Sequence, residues 1–153
     1  MPGATTWLPD TGILLHWVRG SKAAEAIDAQ FQLRAVGFRP LICEVSLGEI
    51  EAFARAERWS AEKRNKLKTI KKELVAVDIS DARVIDAYAE LSTLAKSNGW
   101  AIFHDKNDLW IAAATRVAGA TLLSTDASAF QPLRDAQHLN VVLLDPKTGS
   151  RVP

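Results

Sequence analysis

The chain has 153 residues, a formal net charge of +1, 48% hydrophobic and 24% charged residues. That balance excludes the disordered and fibrous classes and suits one domain, residues 1–153, with its own core. A lone cysteine, Cys43, excludes an internal disulfide framework or cysteine-rich zinc site, and no apolar run approaches the roughly 20 residues that span a bilayer.

The opening Met-Pro-Gly-Ala-Thr-Thr has neither the basic residues nor the apolar stretch of a signal peptide, so a cytoplasmic protein without membrane contact is the expectation. A first strand is predicted at Thr6–Leu8. Lys22–Val36 then reads as an amphipathic helix, with Ala26, Ile27, Phe31 and Leu33 towards one side. A strand at Pro40–Val45 is followed by two helical segments, Leu47–Trp59 and Ser60–Glu73, joined near Trp59–Ser60. They form a pair expected to project from the sheet, whose Ile50, Phe53, Leu67 and Ile70 need an apolar partner. Leu74–Ile79 is the third strand. Val84, Ile85, Tyr88, Leu91 and Leu94 then mark a helical stripe over Ala82–Ser97, with Ser80 placed to cap it and Gly99 to end it. The Ala-rich Leu109–Val117, closed by Gly119, has the small residues of a helix packed tightly on a sheet. Strands at Thr121–Ser124 and Val141–Leu144 follow, and Lys147–Pro153 reads as a loose tail.

Strands alternating with helices give an α/β class with a mainly parallel sheet of about five strands in three layers. Right-handed crossovers set strand one in the middle, in the order 3-2-1-4-5. Charge is polarised on this layout. Between Arg55 and Lys72 stand eight basic residues against two acids, a surplus of six that leaves the remaining chain at −5. The basic stretch, with Lys63, Arg64, Lys66, Lys68, Lys71 and Lys72 on its second helix, is either a solvated face or a phosphate-contacting surface.

The acids are the informative residues. Asp10 follows the first strand and Asp126 the fourth, at the carboxyl ends where sites form in open parallel sheets. Glu49 and Asp108 fall at the starts of helices that reach the same edge. Each acid has a structural explanation of its own. Ser46-x-x-Glu49 has the form of a capping box, and Asp10, Asn107–Asp108 and Asp126 suit helix caps. Four carboxylates converging on one edge, however, repel one another unless a cation is present, and hard oxygen donors suit Mg²⁺ or Mn²⁺ over zinc. His16, His104 and His138 have no metal-ligand spacing. Among the five tryptophans, Trp17 and Trp110 occupy apolar helical positions.

Pro9-Asp10-Thr11, Ser46-x-x-Glu49, Asn107-Asp108-Leu109-Trp110-Ile111-Ala112-Ala113 and Leu123-Ser124-Thr125-Asp126 with Phe130 together resemble the motif series of PIN domains, and the third motif resembles the VapC toxins of bacterial toxin–antitoxin pairs. The resemblance covers nearly the whole chain. It implies a three-layer α/β/α PIN-like domain and a Mg²⁺-dependent endoribonuclease in which Asp10, Glu49, Asp108 and Asp126 bind the metal. Thr11, Ser46 and Ser124 stand beside them. It also implies an RNA substrate, a cognate antitoxin and a homodimer. Gly12 departs from the family, which often has Asn two places after the first Asp. The chemistry would be metal-assisted phosphodiester hydrolysis, with no serine–histidine pairing. Two other readings stand beside it. One is a response-regulator-like signalling module, which needs an acceptor Asp after the central strand, with Asp78 and Asp81 available, and a Lys after the last strand, where only Lys147 offers. The other is a catalytically inert PIN-like RNA- or protein-binding domain.

Overall fold

A computed structural model describes residues 5–35, 37 and 39–153 of the chain. Strand β1 (Trp7–Pro9) leads into α1 (Thr11–Arg19) and α2 (Lys22–Phe31). β2 (Leu41–Cys43) is followed by α3 (Glu44–Ala56) and α4 (Ala61–Lys72), and β3 (Val75–Val77) by α5 (Ala82–Asn98). A 3-10 turn at Ala101–His104 precedes α6 (Lys106–Val117). β4 (Thr121–Ser124), α7 (Ala127–Asp135) and β5 (Val141–Leu143) complete the order.

All strand pairing is parallel. β1, β4 and β5 form one ladder, with Leu8 opposite Leu122 and Leu123 opposite Val142. β2 and β3 form a second, with Ile42 opposite Ala76. β2 lies alongside β1 without pairing to it, so the expected order 3-2-1-4-5 holds while the hydrogen-bonded sheet is split in two. Alternate strand residues serve opposite layers, as the two-residue period of a strand requires. Leu122 belongs to a core cluster with Leu91, Leu109 and Phe130, whereas Leu123 joins one with Trp17, Ile27, Ile50 and Ile70 on the other side. Helices cover both faces. None of the described helices is long and apolar enough to cross a membrane.

Hydropathy alone leaves α1 without bounds. Asp10 caps its start, and Gly20, at φ +60°, ends it in the left-handed region. Its buried Ile13, Leu14, Trp17 and Val18 recur at helical spacing. α2 is shorter than expected because Gln32, at φ +52°, terminates it, although Leu33 beyond the helix is still buried. Val36, the expected end, lies outside the described residues. The apolar partner that α3 and α4 need is α1: Ile50, Leu67 and Ile70 are buried in its cluster, with Phe53 packed against them. For α5 the cap is Asp81, which accepts the Arg83 N–H, instead of Ser80. Ser80 donates to Asp78, and Gly99 ends the helix as expected.

The segment Lys147–Pro153 is not a loose tail. Asp145 accepts N–H groups from Lys147 and Thr148, Val152 N–H returns to the Leu143 carbonyl, and Leu144 and Arg151 form an antiparallel bridge. Gln30 also donates to the Gly149 carbonyl at 2.8 Å. The polar composition that reads as a tail is that of a turn. Strand β3 stands at one end of the order, so neither Asp78 nor Asp81 follows a central strand. Asp78 instead holds Ser80, Asp81 caps a helix, and Lys147 lies in the exposed turn. The signalling-module reading falls on those three placements.

Candidate metal and nucleic-acid site

At the carboxyl edge of the strands, four elements each deliver an acid. Asp10 directly follows β1 and is 6% exposed. Its Oδ1 accepts the Ile13 N–H at 3.1 Å, capping α1, and its Oδ2 accepts the Ser124 hydroxyl from the end of β4. Burial is the main reason its pKa is raised to about 6. The Ser124 and Ile13 hydrogen bonds oppose the rise, and the charges of Asp126 and Glu49 add to it.

Glu49 is held from two sides. Thr11 Oγ1 donates within 2.7 Å of its Oε1 and also lies 2.9 Å from Ser46 Oγ, while the Asn107 amide donates to Oε2 at 3.3 Å. These bonds link α1, α3 and α6. The capping-box form of Ser46-x-x-Glu49 is therefore not how these residues are used: α3 already begins at Glu44, with Cys43 as its cap, and Ser46 is fully buried within the first turn.

Asp108 lies in the first turn of α6, but that helix is capped by Asp105, whose Oδ1 accepts the Asp108 N–H at 3.1 Å. Among the described residues no N–H or hydroxyl donates to the Asp108 carboxylate. Burial first, then the charges of Asp105, Asp126 and Asp10 and a side-chain hydrogen bond shared with Asp105, push its pKa up to about 8. Asp126 is exposed. Its Oδ1 caps α7 through the Ala129 N–H at 3.1 Å and accepts the Ser128 hydroxyl, while its own N–H donates to Ser124 Oγ. Ser124 thus ties the two strand-end acids together. The capping explanation holds for Asp10 and Asp126 and fails for Glu49 and Asp108.

Asp105 and Asn107 are the residues of this edge that the sequence reading does not select. The motif Asp-x-Asn-Asp contains their signal: the first acid takes the cap, which frees the later one. At Gly12, a Cβ would stand 3.3 Å from Asp10 Oδ1 and 3.5 Å from Thr125 Oγ1, so a side chain there would enter the edge beside Asp10. His104 is exposed, and His16 pairs with Ser21. On α4, Lys63, Arg64, Lys66, Lys68 and Lys72 are exposed. Lys71 is half-buried and ion-paired to Glu51 of α3. Trp17 is a core residue, and Trp110 stacks on Tyr88 with ring centroids 3.9 Å apart.

The donor set at the edge is all carboxylate and hydroxyl oxygen, the chemistry of a hard divalent cation. Among the described residues, none of the four acids has an ion-pair partner. Nor do three or more metal-binding side chains stand close enough together to share an ion in their present rotamers. Glu49 is turned to Thr11 and Asn107, and Asp126 is engaged with the α7 terminus, so holding an ion would require side-chain rotation from at least one of them.

Comparison with known proteins bears on the same residues. A solved VapBC2 from Rickettsia felis, bound to a DNA fragment from its promoter, superposes with a TM-score of 0.73 at 20% identity, covering 90% of this chain and 97% of that one. VapBC-1 from nontypeable Haemophilus influenzae gives 0.69 at 18%, covering 91% and 98%. VapBC-5 from Mycobacterium tuberculosis, a member of the VapBC family of toxin–antitoxin systems, gives 0.67 at 18%, covering 92% and 100%. At those identities the likeness is one of fold. No curated protein sequence matches the chain. The PIN domain family model matches residues 7–134, a span that runs from β1 into α7 and includes all four acids, and the chain belongs to the PIN-domain family.

Proposed function

We propose that this chain is the nuclease toxin of a VapBC-type toxin–antitoxin pair, hydrolysing RNA phosphodiester bonds with Mg²⁺, or Mn²⁺ in its place, held among Asp10, Glu49, Asp108 and Asp126. The observation that carries the reading is the uncompensated charge of the edge. Burial first, and then the charges of acids from neighbouring elements, raise the pKa of Asp10 and Asp108, with no basic side chain among the causes. A fold that only needed caps would not place Asp108, which caps nothing, beside two acids that do.

A divalent ion bound there would polarise the scissile phosphate, acidify a water and neutralise the leaving oxygen. The chain's own residues would set the geometry. Ser124 and the Ile13 N–H fix Asp10, and Thr11 with Asn107 fixes Glu49. Asp108, free of such donors, is the carboxylate able to turn towards a ligand or to orient the attacking water. Five of the six basic side chains of α4 are exposed and available to RNA phosphates. The VapBC neighbours support an antitoxin as partner, here one that covers the acidic edge, and the motif resemblance adds a second copy of the chain and a cytoplasmic setting.

Purified protein incubated with single-stranded RNA should cleave it in millimolar Mg²⁺ and stop on chelation. Co-purification with the product of an adjacent small reading frame should suppress that cleavage. RNA left intact at every metal concentration by folded protein would favour the inert PIN-like reading.

A further inference from the structure

Asp105 is an acid of this edge that the nuclease reading leaves unused, and it is pinned to the core from both sides. Its N–H donates to the Ile102 carbonyl at 2.9 Å, and its carbonyl accepts the Leu109 N–H at 3.1 Å. Ile102 and Leu109 are buried in one cluster with Leu91, Leu122 and Phe130. From that fixed point the side chain reaches forward: Oδ1 accepts the Asp108 N–H at 3.1 Å and so caps α6. The first turn of a helix has N–H groups with no partner inside the helix, and its order depends on such a cap.

That turn brings two groups to the edge. One is the Asp108 carboxylate, which accepts no N–H or hydroxyl among the described residues and whose side-chain hydrogen bond is with Asp105 itself. The other is the Asn107 amide, which donates to Glu49 Oε2 at 3.3 Å and so links α6 to α3. Asp105 therefore stands behind two of the four acids, one on its own helix and one on another. Losing its side chain has a defined consequence. Asn107 is the next residue along α6 of a type that caps well, so the helix would restart there. Asn107 would then leave the first turn, its amide would leave Glu49, and Asp108 would become the first helical residue. Charge is a separate matter, because Asp105 also repels Asp108, so cap and charge have to be varied apart.

We infer that Asp105 is a positioning residue of the metal edge: its cap on α6 holds Asp108 in place directly and Glu49 through Asn107. This rests on the reading of the four acids as a metal site. In the full-length protein, Asp105→Asn and Asp105→Ser keep a cap without the charge, Asp105→Glu keeps the charge on a longer side chain outside the cap-forming set, and Asp105→Ala keeps neither. Mn²⁺ affinity is read from the electron paramagnetic resonance of the free ion. Asp105→Ala and Asp105→Glu should bind roughly 10- to 100-fold more weakly than wild type, the scale on which residues that orient metal ligands act. Asp105→Asn and Asp105→Ser should stay within about threefold of wild type. NMR of the metal-free protein gives a second readout: Glu49→Ala should shift the Asn107 side-chain amide in the wild-type background and in Asp105→Asn, and leave it unmoved in Asp105→Glu. Wild-type Mn²⁺ affinity in whichever of Asp105→Ala and Asp105→Glu folds would overturn the inference. So would equal losses in Asp105→Asn, Asp105→Ser and Asp105→Ala, which would make Asp105 a charge or a ligand at the site instead of a cap. Wild-type protein that takes up no Mn²⁺ would overturn the metal reading, and the Asn107 amide would then decide the positioning by itself.

Discussion

Glu49 and Asp108 are the two acids whose place is not required by any helix terminus, so substitutions at this edge can tell the proposed metal site from a set of caps. Asn caps a helix about as well as Asp, so Asp126→Asn should keep the α7 cap and the fold. Asp108→Asn should likewise fold, and should melt higher than wild type in metal-free buffer at pH 8, because it removes a charge held among acids. A lower melting temperature for that variant would mean that Asp108 has a stabilising partner. Asp10 gives the pH dependence. It keeps its proton to about pH 6 in the folded chain, against 3.8 ordinarily, so between those values the folded state binds more protons than the unfolded one. Stability of the metal-free protein is therefore fullest below pH 4 as far as this group is concerned. It falls as pH rises through 6, by roughly 3 kcal/mol for a shift of this size. Urea titrations at pH 5 and pH 8 without metal check the sign: the midpoint should be higher at pH 5. In the sequence, Asp10 and Asp126 are legible because strand ends mark them. Glu49 reads ambiguously because its capping box is broken only by where α3 starts, and the roles of Asp105 as cap and Asn107 as donor to Glu49 stay hidden because they depend on which residue takes the cap.

At the scale of elements, the five strands are legible because each is a short apolar run between turn residues. Their breadth is overestimated because flanking positions such as Val45 and Ile79 are apolar for packing outside the ladders. α1 lacks bounds in the sequence for a related reason: its entry is marked by an acid that also belongs to the site. The α4 face leads to a graded expectation for RNA binding. Lys68 and Lys72 are exposed, whereas the charge of Lys71 is already matched by Glu51. Lys68→Ala or Lys72→Ala should each weaken RNA binding and reduce the log–log salt slope by about 0.7, the share of one phosphate on a single strand. Lys71→Ala should change the slope less. Filter binding across a salt series distinguishes them, and equal slopes for all four proteins would assign α4 to a protein partner. The carboxyl-terminal turn is also testable. A Cβ on Gly149 would lie 2.6 Å from the Ala23 carbonyl, and φ is +73° there. Gly149→Ala should therefore cost of the order of 1–3 kcal/mol, read as a lower urea midpoint, whereas a loose tail would tolerate the change.

For the molecule as a whole, a doubly covered parallel sheet makes two cores and an open carboxyl edge, and the acids gather at that edge, where four elements meet outside either core. The α/β class and strand order follow from alternation and handedness, which the sequence displays; the break between β1 and β2 does not, because pairing between strands depends on geometry that no local pattern encodes. A cation at the edge would relieve repulsion spread over the whole site. It should raise stability by about 2.7 kcal/mol at a hundredfold excess over its Kd, or roughly 5–10 °C in melting temperature, and should raise it less in Asp10→Asn. The central claim, that these acids work together as a metal-dependent nuclease, meets its most direct test in RNA cleavage by wild type, Asp108→Asn and Asp126→Asn, each shown to be folded by circular dichroism and assayed side by side in Mg²⁺ and in chelator. The expected result is cleavage by wild type that chelation abolishes and a fall of orders of magnitude in both variants. Cleavage by either folded variant at the wild-type rate, or wild-type cleavage that survives chelation, would contradict it.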